Sequence, residues 1–118
     1  MIRLMTLEDV PHLPSLHAEG RQTALQRRQA TIALTHLYPR LYFGHPWRDE
    51  RIGPLVSVGD DGRLNGAMGV VSRPLLFRDR RVTLAVCSEL YVEPRSRSKL
   101  VGIQLLRTFL RGPQDLSL

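Results

Sequence analysis

"VEPRSRSKLVGIQLL", residues 92–106, runs from an extended apolar segment through a polar, basic turn into an apolar one. Arg97, Ser98 and Lys99 gather where a helix is expected to begin. A helix start carries unpaired backbone N–H groups and partial positive charge, so cations placed there make a natural phosphate site. The simpler reading of this stretch alone is that Ser96 or Ser98 caps the helix and the cations face water. The neighbouring segments decide between the two.

Upstream, "LVSVG" (55–59), the turn "DDGR" (60–63) and "LNGAMGVVSRPLLF" (64–77) predict a hairpin. "RDRR" (78–81) makes a second polar turn into "VTLAVCSELYV" (82–92), where Val82, Leu84, Val86, Leu90 and Val92 alternate. Pro94 ends that strand. Downstream, a helix from about Ser98 to Arg111 carries Leu100, Val101, Ile103, Leu105, Leu106, Phe109 and Leu110. That face is too broad for a surface helix and predicts packing around most of its girth. Gly112 and Pro113 stop it, and "DLSL" (115–118) opens a further strand.

At the other end, Ile2 to Met5 reads as a short strand, and Thr6 with Asp9 has the spacing of a capping box. Pro11 and Pro14 keep "VPHLPSLHAEG" short or broken before Gly20. Arg21 to about Leu37 predicts a helix with a ragged stripe of Ala24, Leu25, Ile32, Leu34 and Leu37. The order is strand, two helices, three antiparallel strands, helix and the start of another strand. The fold class is α+β (mixed α/β), in a single domain spanning residues 1–118.

The chain has 118 residues, 42% hydrophobic and 24% charged, a composition of folded rather than disordered chains. A net charge of +6 favours anionic partners. Sixteen of the seventeen cations are arginines, scattered without a block of like charge, so binding to nucleic acid is not indicated. Cys87 is the single cysteine, which excludes an intrachain disulfide and a cysteine-based metal site. His12, His17, His36 and His45 lack metal-ligand spacing, and no metal is expected. Without a signal pattern or an apolar run of about 18 residues, the protein is expected in the cytoplasm and not in a membrane.

With "VEPRSRSKLVGIQLL" in this place, the chain resembles the GNAT superfamily of acyl-CoA-dependent N-acetyltransferases, whose signature is R/Q-x-x-G-x-G/A after a strand. Val92 and Pro94 match the strand exit, Arg97 the R/Q position, Gly102 the second glycine, and Leu105 and Leu106 the following leucine pair. "IRLMTLEDVPHL" looks like the first strand and helix of that family, so the resemblance covers essentially the whole chain. It implies acetyl-CoA as co-substrate and an amine as acceptor. The pyrophosphate would lie over Arg97, Ser98, Lys99, Leu100, Val101 and Gly102, and the pantetheine arm along Leu90, Tyr91 and Val92.

Two departures stand out: Leu100 replaces the first glycine, and the chain stops four residues into the fifth strand. The resemblance therefore implies the front part of such a domain. An incomplete sheet would leave an open edge that favours homo-oligomers. A non-catalytic module of the same fold, binding CoA or a protein partner, is the alternative.

Glu89 is the candidate general base, provided burial raises its pKa; a solvent-facing strand glutamate is the simpler reading. Strict alternation puts Cys87 and Tyr91 on the same face as Glu89. Cys87 there reads as a small core residue. Tyr42, Phe43, His45 and Trp47 in "YFGHPW" either line an acceptor pocket or pin an irregular loop to the sheet.

Overall fold

The computed structural model describes residues 1–18 and 23–118, apart from the His17 and Ala18 side chains. The expectations placed on Gly20, Arg21 and the His17 side chain lie outside the described residues. In chain order the elements are β1 (Ile2–Leu4), a 3-10 turn (Leu7–His12), α1 (Leu13–Ala18) and α2 (Ala24–Tyr38). A π-turn (Pro39–Phe43), β2 (Leu55–Val58), β3 (Leu64–Phe77) and β4 (Arg80–Val92) follow. A 3-10 turn (Pro94–Lys99), α3 (Val101–Leu110) and β5 (Leu116–Ser117) complete the order. The sheet runs β1-β2-β3-β4-β5, antiparallel as far as β4, with β5 parallel to β4. The α+β class is as expected.

Alternation along the strands sends side chains to two cores. On one face, Leu13, Leu16, Leu34, Tyr38 and Tyr42 pack over Val56, Ala67 and Val71. On the other, Val101, Leu105 and Phe109 of α3 pack over Leu55, Met68, Val70 and Ala85. Gly66 lets α3 approach, since a Cβ there would meet Val101 Cγ1 at 2.8 Å and Leu105 Cδ1 at 3.0 Å.

Both helix stripes differ from the expected ones. In α2 the buried residues are Ala30, Leu34 and Tyr38, one per turn, while Leu25, Ile32 and Leu37 are exposed. In α3 the helix is packed on one narrow stripe, and Ile103, Leu106 and Leu110 are exposed at 55%, 44% and 59%. A spacing of four residues aligns 101, 105 and 109 on one side, and a single sheet face can cover only that side.

At the N-terminus, Asp9 accepts from the Thr6 N–H (2.8 Å) and from Arg3 Nη1 and Nη2 (2.7 and 2.8 Å). The Thr6–Asp9 pattern thus ends as a cap that also clips β1 to the first turn. Arg3 holds the Asp9 carboxyl below the ordinary carboxylate value, against a smaller opposing push from burial. Thr23 Oγ1 accepts from the Gln26 N–H (3.1 Å) and starts α2. Among the described residues, no helix is long and apolar enough to cross a membrane.

Candidate acyl-CoA site at the end of the fourth strand

The register of β3 and β4 slips once. Gly69 faces Glu89 but Val70 faces Cys87, so Ser88 is an extra residue in β4, a β-bulge. Before the bulge, the backbone groups of Ala85 and Cys87 point to β5: Leu118 N–H donates to Ala85 C=O (2.9 Å) and Cys87 N–H to Leu118 C=O (2.8 Å). After it the phase is reversed. Glu93 N–H donates to Asn65 C=O (3.0 Å), so by alternation Glu89 and Tyr91 bond to β3 while the backbone of Leu90 and Val92 points outward. Leu118, the last residue of the sequence, is the β5 partner of Cys87. Past that pair the outward-turned backbone of Leu90 and Val92 forms a notch on this edge of β4.

The same slip changes side-chain faces. Cys87 packs with the α3 core, whereas Tyr91 packs with the α1–α2 core and Glu89 faces the same way. The expectation that Cys87 and Glu89 share a face is corrected: one inserted residue sends them to opposite sides. Burial pushes the Cys87 thiol up, which suits a packing residue. Glu89 is open to water along part of its side chain, yet desolvation raises its carboxyl above the ordinary value.

The basic turn is not yet helix. Pro94–Lys99 forms a 3-10 turn and α3 begins at Val101, so Arg97, Ser98 and Lys99 precede the helix instead of forming its first turn. Neither Ser96 nor Ser98 caps α3, because Leu100 occupies the cap position. Ser96 is buried and its hydroxyl donates to Glu93 Oε1 (2.7 Å) within the turn. Leu100 has φ 59° and ψ 26°, the left-handed conformation that glycine adopts freely. The missing glycine therefore falls at the one position here whose backbone asks for it. The Leu100 side chain is 57% exposed and gains little packing in exchange.

Gln104 N–H bonds Leu100 C=O (3.0 Å), which leaves the N–H groups of Val101, Gly102 and Ile103 at the open end of α3. Gly102 lies against β4: a Cβ there would stand 3.5 Å from Val92 Cγ2 and 3.8 Å from Leu90 Cδ2. Arg97 Nε donates to Val92 C=O (3.3 Å), and Arg97, Ser98 and Lys99 are all exposed. The open helix end, the exposed cations and the notch at Leu90 and Val92 thus adjoin. Unpaired donors and positive charge in this arrangement can hold a diphosphate with an extended chain running from it along β4.

"YFGHPW" divides between the two readings given to it. Tyr42 and Phe43 belong to the α1–α2 core, with Arg48 stacked on Phe43 at 5.1 Å. Trp47 is exposed under Arg73 at 4.6 Å, and its carbonyl accepts from the buried Ser72 hydroxyl (2.6 Å). A groove of about 610 Å³ lined by Trp47, Arg48, Ser72 and Arg73 lies along this part of β3 and includes none of the residues of the β4–α3 notch. The bulge, and the contact between Tyr42 and Ser88 that goes with it, escaped the sequence reading. Ser88, a polar residue breaking the apolar alternation of Val82, Leu84, Val86, Leu90 and Val92, was the one available hint.

The same architecture occurs in solved structures of acetyltransferases. Ribosomal-protein-alanine N-acetyltransferase from Brucella melitensis aligns with 100% of this chain and 76% of its own at 19% identity, TM-score 0.65. Glucosamine-6-phosphate N-acetyltransferase from Arabidopsis thaliana aligns with 100% of this chain and 79% of its own at 12% identity, TM-score 0.62. For an acetyltransferase from Trypanosoma brucei the shares are 100% and 80%, the identity 15% and the TM-score 0.60. The chain has the GNAT acetyltransferase fold. No family model and no curated protein sequence matches it.

Proposed function

We propose that this chain is a cytoplasmic acyl-CoA-dependent N-acetyltransferase acting on an amine. The observation that carries the reading is the bulge at Ser88, which turns the Leu90 and Val92 backbone outward beside the open end of α3. Acetyl-CoA lays its pyrophosphate on the N–H groups of Val101, Gly102 and Ile103 and on Arg97, with Ser98, Lys99 and Leu100 around it. Its pantetheine arm follows Leu90, Tyr91 and Val92 in the manner of an added strand. The Leu90 N–H stabilises negative charge on the thioester oxygen as the amine attacks the carbonyl carbon. Glu89 takes the proton that the amine nitrogen loses, the C–S bond breaks, and the CoA thiolate leaves.

Release of free thiol from acetyl-CoA, followed across a panel of small amines and amino-terminal peptides, tests this reading. Turnover is expected, with Glu89→Gln lowering kcat about a hundredfold, in the range of general-base catalysis. Binding of acetyl-CoA with no turnover on any amine would favour the non-catalytic module instead.

A further inference from the structure

The bulge is held from behind. Tyr42, 2% exposed at the end of the π-turn, reaches β4 so that its hydroxyl lies 2.7 Å from Ser88 Oγ, across 46 residues of sequence. Room for this contact exists only because residue 69 is glycine. A Cβ there would overlap the Tyr42 hydroxyl and stand 2.7 Å from Ser88 Oγ. The direction of the bond follows from satisfaction. Among the described residues Ser88 is the hydrogen-bond partner of the Tyr42 hydroxyl, and a buried phenol that only accepted would leave its own proton unpaired. Tyr42 therefore donates to Ser88, whose proton is left for the open side of the strand. The Tyr38 ring packs 4.8 Å from that of Tyr42 and fixes its position.

We infer that Tyr42 and Ser88 form a latch that sets the phase of β4, making both of them positioning residues of the acyl site. Were Ser88 paired as a regular strand residue instead of bulged, Leu90 and Val92 would bond to β3 and Glu89 would face α3. The latch thus determines in one contact which backbone groups reach the notch and on which side the carboxylate stands. Its role in catalysis rests on the acetyltransferase reading; its role in the strand does not.

Tyr42→Phe, Ser88→Ala and the double variant test the latch, with Ser88→Thr as rescue and Tyr38→Phe as control. Amide hydrogen exchange at Gly69 and Glu89, which pair beside the bulge, and at Tyr91, which pairs with Ala67, should accelerate about tenfold in each single variant, the effect of one lost hydrogen bond. The double variant should be no worse than either, and Ser88→Thr and Tyr38→Phe should resemble the wild type. In the transfer assay kcat should fall about tenfold and KM for acetyl-CoA should rise with it, because the same phase places the backbone groups that hold the pantetheine arm, and Ser88→Thr should restore both. Unchanged exchange in Tyr42→Phe and Ser88→Ala, or additive effects in the double variant, would overturn the latch. A wild type that shows the exchange pattern but transfers no acetyl group would uphold the latch and overturn the acetyltransferase reading. Turnover with unchanged exchange would do the reverse.

Discussion

Leu100 carries the cost of a missing glycine in its backbone. An L-residue in the left-handed region costs about 1–2 kcal/mol, and glycine gives back about 0.5–1 kcal/mol of that through its looser unfolded state. Because the Leu100 side chain is mostly exposed, Leu100→Gly should raise stability by up to about 1 kcal/mol in a denaturant titration. The sequence alone points the other way, since it puts residue 100 inside a helix where glycine destabilises; the left-handed φ reverses the sign. Glu89 makes a second residue-scale case. Burial raises its pKa, so the folded state favours the protonated carboxyl, and stability falls as pH rises from the unfolded value through the folded one. Glu89→Gln should remove that part of the pH dependence in thermal melts, and the same rise should place the acid limb of the kcat/KM profile above the ordinary glutamate pKa.

At the scale of elements, the strands and turns were legible and the phases were not. "DDGR" and "RDRR" mark their hairpins because polar turn residues interrupt alternating apolar runs. β4 hides its bulge because the even positions stay apolar on both sides of it. Val86 faces the α1–α2 core, while Val92 packs with α3. A pattern of period two resumes in step past Ser88 when one extra residue exchanges two faces that are both partly apolar. The stripe of α3 was obscured for a related reason, because apolar side chains surround the helix and only packing selects Val101, Leu105 and Phe109. Leu105→Ala should cost about 2–5 kcal/mol, whereas Leu106→Gln on the exposed face should stay within about 0.5 kcal/mol by chemical denaturation. The clip between β1 and the first turn gives the acid limb of stability. Arg3 lowers the Asp9 pKa, so its contribution is complete above the unfolded carboxylate pKa and is lost as pH falls through the folded value. Asp9→Asn should flatten that limb in melts recorded across the acid range.

For the whole molecule, the fold class could be read from the order of elements, and the basic turn before α3 is where the proposed site was placed. The outward turn of Leu90 and Val92 could not be read, because it depends on the phase of β4, which the pairing with β3 sets. Exposed apolar side chains on α3, at Leu76 and Phe77 of the β3–β4 hairpin, and at Leu116 and Leu118 favour association between copies. Sedimentation velocity should show oligomers that grow with concentration; a monomer throughout would contradict this. Calorimetric titration shows whether the notch and the basic turn together hold acetyl-CoA. Acetyl-CoA should bind the wild type and Arg111→Ala alike, and Arg97→Ala about tenfold more weakly, the effect of one charged hydrogen-bond partner. No heat of binding to the folded wild type, or equal affinities for Arg97→Ala and Arg111→Ala, would contradict the account.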